Sequence, residues 1–304
     1  MTRRARPGRS RALRYGAGTS ALVLLVCGLI AGLSVWTLAT VGVRVTGATA
    51  RACGEIVRAG DRTVDLRWSA AGVPRTGTVA LGVPAPPVGA RTEVAYDPRE
   101  LSTVFIPGST ELAAVDRAAS GLAFSGLIAT IVLSTAGWQV VSRWRLRRGP
   151  GQPVLVRRVR VQSGLITRSW LELDAPPRWI PVHFDPILAT LPAPCLVQLH
   201  GDPRRRGLAA AEVGGVWLDP SGPSRTAEPR GRRIDNPARP DAGAATPSWG
   251  RQLRADAVLT TPAPIVGLLW VFLDGGGMIT WTCTTALTAT LALWYAALHG
   301  SDPT

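Results

Sequence analysis

The chain has 304 residues, 46% of them hydrophobic, and a formal net charge of +14. Every basic residue is Arg and many lie beside apolar blocks, so the charge does not point to nucleic acid, which is excluded as a partner. The apolar residues are concentrated in long uncharged stretches rather than spread at helix or strand period, which argues against one large water-soluble globule.

Residues 1–17 carry Arg3, Arg4, Arg6, Arg9, Arg11 and Arg14 without an acid. Positive flanks stay in the cytoplasm, so the N-terminus is expected inside. The uncharged block Tyr15 to Val43 follows. A hydrocarbon core takes about 20 apolar residues of helix, and residues 18–42 are predicted as the first transmembrane helix. Ala48-Thr49-Ala50 matches a signal-peptidase pattern, but the apolar run is about twice the length of a signal h-region and Arg44 separates it from that site. It is therefore read as an anchor.

Residues 43–117 hold basic and acidic groups in near balance and are expected to cross to the outside as a β module. Strands are predicted at Thr63 to Trp68, Thr76 to Leu81 and Thr92 to Tyr96, with Gly60-Asp61 turning from a short strand at Glu55 to Arg58. Residues 118–141 are uncharged and predict the second transmembrane helix. Its end, Ser142-Arg143-Trp144-Arg145-Leu146-Arg147-Arg148, is pinned to the cytosol by the same charge rule.

Residues 142–220 predict a cytoplasmic, barrel-like β module. Val154 to Val161, Ile166 to Leu173, Trp179 to Phe184, Cys195 to His200 and Ala209 to Trp217 are the strand candidates. Residues 221–252 are assigned to a disordered linker, because Ser221 to Ser248 holds almost no large apolar residue with which to build a core. Residues 257–273 and 278–298 predict the third and fourth transmembrane helices, joined by a turn at Asp274-Gly275-Gly276-Gly277. Trp270 and Trp281 flank that turn, while Trp294 and Tyr295 mark the opposite interface. The alternative is three spans, with the short, proline-bearing 257–273 lying re-entrant or interfacial.

The fold class is thus a membrane α-helical protein with small all-β soluble modules. Gly28 and Gly32 form a GxxxG in the first helix, and Gly121 with Ser125 offers a matching small face on the second, within the chain or across a dimer. Val88 to Pro98, ending Tyr96-Asp97-Pro98, resembles the closing motif of a bacterial family of unknown function in which a small β module lies between two membrane helices. Arg178 to Pro186 and His200-Gly201-Asp202-Pro203 resemble segments of uncharacterised actinobacterial membrane proteins, and the absence of Lys fits such a GC-rich source. These resemblances imply fold and membrane context and carry no activity.

Chemistry-bearing residues are few. His183, Asp185, His200 and Asp202 form two HxD pairs, but both aspartates precede prolines at expected turns, where Asp is favoured for backbone reasons. Cys27, Cys53, Cys195 and Cys283 share no CxxC spacing and read as small buried thiols. Asp274 reads as a turn residue, and neither GxSxG nor HExxH occurs. No catalytic, cofactor-binding or metal-binding residue is assigned, and no cofactor is expected. The expected role is an accessory or interaction component of the inner (plasma) membrane, its partners the lipid bilayer and a membrane protein or second copy. The rival class is a membrane-bound sensor or enzyme using the cytoplasmic β module.

Overall fold

The computed structural model describes residues 11–175, 177–202, 207–234 and 247–304. The expectation for residues 1–10, and the part of the linker at 235–246, lie outside the described residues. Among those described, three helices are long and apolar enough to cross a membrane: Arg11–Gly47, Thr110–Arg148 and Trp249–Asp274. The chain divides into two compact units, one of residues 27–128 with 271–277, the other of 1–26, 129–270 and 278–304.

The first helix begins as α1 (Arg11–Thr37), passes through one wide π-type turn at Leu38–Gly42 and ends as α2 (Val43–Gly47). It buries Tyr15, Thr19, Val23, Cys27 and Ser34, spaced three to four residues apart on one face when Ile30 is counted with them. Within the chain, the contact between these two helices does not run through the GxxxG glycines. Nothing lies within 4 Å of where a side chain would begin on Gly28 or Gly32, whereas a Cβ on Gly121 would meet Ser34 Oγ at 3.0 Å and Ile30 at 3.8 Å. Gly121 does seat a helix contact, but against the polar and branched face of its neighbour, and Leu25, Leu29 and Leu33 beside the two glycines are exposed.

In the first unit, β1 (Ala50–Ala59), β2 (Thr63–Ala70), β3 (Val73–Ala80), β4 (Arg91–Tyr96) and β5 (Val104–Phe105) form a curled antiparallel sheet in the order β3-β2-β1-β4-β5. Strict alternation in β2 sends Val64, Leu66, Trp68 and Ala70 inward, where they meet Ile56, Val79, Leu81, Val94 and Ile106. β2 and β3 are longer than the sequence predicts. Ala71 and Gly72, both at positive φ, make a two-residue turn that pairs Ala70 with Val73. The Trp68 ring lies over Gly77, where a Cβ would come within 3.0 Å of it.

The second unit follows α3 (Thr110–Arg148), which extends about two turns beyond the predicted span at each end. Its sheet contains β6 (Gly151–Ser163), β7 (Ile166–Leu173), β8 (Arg178–Val182), β9 (Cys195–His200), β10 (Ala210–Val213), β11 (Val216–Leu218) and β12 (Arg232–Ile234). The path is β11-β10-β9-β6-β7-β8, with β12 on β6. β6 pairs β9 through Gly151 to Val156 and β7 through Val156 to Ser163, so this one strand curls the sheet into a half-barrel. Its interior holds Val156, Leu171, Leu173, Ile180, Val182, Phe184, Leu188, Leu199 and Leu218.

Two expectations are corrected in this unit. The single strand predicted over Ala209 to Trp217 is a hairpin, because Gly214 and Gly215 both take positive φ and reverse the chain between β10 and β11. The linker is ordered as far as Ile234. Ser221, Arg225 and β12 exchange backbone hydrogen bonds with Pro181, Trp179 and β6, and Ser224 is buried. A segment without apolar side chains can still cover a sheet edge, since the edge asks for backbone donors and acceptors.

Beyond Ser248, whose hydroxyl caps the helix by accepting from Arg251 N–H at 3.2 Å, come α4 (Trp249–Ala257), a 3₁₀ turn at Val258–Thr260 and α5 (Ala263–Asp274). α6 (Met278–His299) returns against α5, with Trp281 Nε1 donating to the Pro264 carbonyl at 3.1 Å. α6 is helical as predicted but is not among the three helices apolar enough to span. Thr280, Thr282, Thr284, Thr285, Thr288 and Thr290 lower its hydropathy, and Thr282 and Thr290 donate to the Met278 and Leu287 carbonyls within the helix. Gly300, at φ 68°, ends it, and the chain then runs beside β7, where Asp302 N–H donates to the Thr167 carbonyl at 2.8 Å.

Candidate functional site

The most elaborate chemistry in the described residues is a set of buried polar groups in the second unit. α3 supplies Arg143 and Arg147, one turn apart and on the same face. β8 leads into His183, and the segment after β11 supplies Asp219, whose carbonyl accepts from His183 N–H at 2.9 Å. Arg147 Nη2 donates to both Asp219 carboxylate oxygens, at 3.0 and 3.3 Å, and Arg143 Nε stands 3.8 Å from the same group. Arg143 Nη2 donates to His183 Nε2 at 3.2 Å. Burial, with Arg143, Arg168 and His299 nearby, pushes the His183 pKa down to about 3.

A second group fixes the chain's last residues. Arg158 Nη2 donates to Asp302 Oδ2 at 2.7 Å and Nη1 to the Leu188 carbonyl at 2.9 Å, while Ser169 Oγ donates to Asp302 Oδ2 at 2.5 Å. A third ties α1 to α4: the Tyr15 hydroxyl donates to Asp256, Ser301 Oγ donates to the same carboxylate at 2.9 Å, and Arg11 Nε donates to Gln252 Oε1 at 3.2 Å. Arg11 also lies over the rings of Phe184 and Trp249, 5.3 and 5.2 Å from their centroids.

The four residues of the HxD pairs meet different partners. Asp185 caps the 3₁₀ helix Pro186–Thr190 by accepting from Ile187 N–H at 3.1 Å, and burial pushes its carboxyl up. His200 donates from Nδ1 to the Gly149 carbonyl at 3.0 Å and packs on Trp217 at 4.5 Å. Asp202 lies in the loop after β9. Among the described residues no group of three or more His, Cys, Asp or Glu is placed to hold a metal ion. The reading of the cysteines as buried is corrected: only Cys27 is buried, Cys195 and Cys283 are partly exposed, and Cys53, on the outward parity of β1, is exposed.

Sequence reasoning missed Arg143, Arg147, Arg158, Asp219 and Asp302 as interior groups. Arg158 had a signal. It shares strand parity with Val154 and Val156, which places it in the half-barrel interior. Arg143 and Arg147 were absorbed by the charge rule for membrane flanks, which is silent on whether a flanking arginine is solvated or packed.

Among the described residues the architecture comprises three helices long and apolar enough to cross a membrane and two curled antiparallel sheets. Searches against protein-family models, curated proteins and solved structures find no significant match.

Proposed function

We propose that this chain is a multi-pass protein of the inner membrane, N-terminus in the cytosol, acting as an accessory or interaction component of the cell envelope. The observation that carries this reading is the pairing of Arg143 and Arg147 with Asp219 and His183. Arginines that the charge rule assigns to the cytosolic flank of α3 are inserted into the β module and not left in water. Such a joint mounts the module on its helix, which suits a scaffold that presents surfaces. His183 and His200, which a ligand-binding reading would join in one polar pocket, bond to separate partners, Arg143 and the Gly149 carbonyl.

Four crossings agree with the arrangement of α4 to α6. Gln252 near the start of the third helical segment and Ser301 after its return bond to one another, so the chain leaves and comes back to one place. An even number of crossings does this. Residues 249–274 rise about 39 Å and α6 about 33 Å at 1.5 Å per residue, enough for a core of about 30 Å. The resemblance to the bacterial family with a β module between two membrane helices belongs to the same proposal, since β1 to β5 lie between α2 and α3 in chain order.

The test is affinity capture of the tagged full chain from native membranes after cross-linking. Recovery of a specific membrane protein, or of a second copy, supports the interaction role. Recovery as a monomer alone removes it.

A further inference from the structure

The second unit carries an open cleft at the end of the uncharged block of α3, and its chemistry is not absorbed by the scaffold reading. Gln139, Ser142 and Arg143 line one wall with Trp138, and Ser221 and Gly222 line the other. Its volume is about 40 Å³, and Leu208 and Pro220 complete the lining. Arg143 is buried, its side chain only 9% exposed, while Trp138 and Trp144 on either side of it are exposed. Behind the opposite wall, Arg168 Nη2 donates to Ser221 Oγ at 3.2 Å.

The charges around this cleft do not balance. Arg143 and Arg147 share the one carboxylate of Asp219, Arg168 donates to Ser221 and lies over the Trp170 ring, and His183 contributes no positive charge because its Nε2 lone pair is taken by Arg143. Two guanidinium charges are therefore in excess in a largely desolvated setting, where an uncompensated ion is costly. An anion in the cleft relieves that cost. Indole rings exposed beside the end of an apolar helix mark the headgroup level of a bilayer, so the anion with the shortest approach is a lipid phosphate.

We propose that the cleft binds the phosphate headgroup of an anionic phospholipid of the inner leaflet, with Arg143 as the charge partner and Gln139, Ser142 and Ser221 as hydrogen-bonding groups. The assignment rests on the membrane reading above. It differs from diffuse attraction of surface arginines in having one stoichiometric site formed by named side chains.

The test is native mass spectrometry of the full chain in a neutral detergent, titrated with phosphatidylglycerol, with phosphatidylcholine and with inorganic phosphate. The expected result is one phosphatidylglycerol retained at least about fivefold better than phosphatidylcholine, with little competition from phosphate. Gln139→Glu sets a carboxylate at the cleft and leaves the Arg143 to His183 bond intact; it should abolish the preference. Arg145→Gln removes an exposed arginine of the same helix and should keep it. Equal loss in both variants, or equal retention of both lipids, overturns the site in favour of surface charge. Full displacement by phosphate overturns the lipid assignment in favour of a soluble anion. Release of the protein from membranes by alkaline washing would instead sink the membrane reading, by a readout independent of lipid preference.

Discussion

Arg143 and His183 meet Nη2 to Nε2 at 3.2 Å, with both side chains buried. A guanidinium has only donors to offer, so the imidazole must accept and is neutral. Burial first, then the positive charges of Arg143 and Arg168, take the His183 pKa to about 3 from 6.5. Below pH 6.5 the unfolded chain binds a proton that the folded chain refuses. The contribution is therefore complete above pH 6.5 and is lost as pH falls from there towards 3. Near pH 5 the loss is about 2 kcal/mol. In His183→Gln the side-chain carbonyl can accept from Arg143 without titrating, so its melting temperature should change less between pH 7 and pH 5 than that of the native protein. Parallel pH profiles would rule out His183 as the source.

The Arg158 to Asp302 pair is closed off more completely, its carboxylate side chain fully buried and its arginine 7% exposed. Removing one partner leaves the other as an uncompensated interior charge. Asp302→Ala should cost about 3–5 kcal/mol, and the double variant Arg158→Met with Asp302→Leu should recover much of it. Thermal unfolding of the three proteins in detergent decides the matter. A single variant within about 0.5 kcal/mol of the native protein would mean that the arginine finds water and that the pair holds little.

How far the sequence could be read depended on whether local pattern or partner choice set the outcome. β7 and β9 were legible to the residue, because the β-branched and large apolar content of Ile166 to Leu173 and Cys195 to His200 is a property of each strand alone. The Gly214-Gly215 turn was legible but passed over inside an apolar run. The order of residues 221–234 was not legible, since those residues are held by the edges of β8 and β6, far away in sequence. The same holds for the polar joints. Asp302 and Arg158 are 144 residues apart, and no short-range pattern announces that they meet.

Glycines separate packing from composition. At Gly54, in the middle of β1, a Cβ would come within 2.4 Å of Val94 Cγ2, so Gly54→Ala should displace β4 at a cost of about 1–3 kcal/mol. At Gly28 there is open space, and Gly28→Ala should lie within about 1 kcal/mol of neutral. Melting of both variants side by side tests the placement. A destabilised Gly28→Ala would mean that this face of α1 is covered by a partner, and that its GxxxG has a use outside the chain.

The number of crossings turns on Asp274. α5 alone has 12 residues and rises about 18 Å, too little for a core of about 30 Å. Only if α4 and the 3₁₀ turn enter with it does the segment reach the far side, and α4 carries Arg251, Arg254 and the buried Asp256. Asp256 is bonded to Tyr15 and Ser301, so its charge is masked by partners, which lowers the cost of setting it near the headgroup boundary. Reporter fusions at Asp97 and Asp274 should therefore read outside, and fusions at Gly201 and after Thr304 inside. An inside reading at Asp274 with the other three unchanged would make 257–273 re-entrant and leave two crossings, with α6 packed on α5 at the inner face.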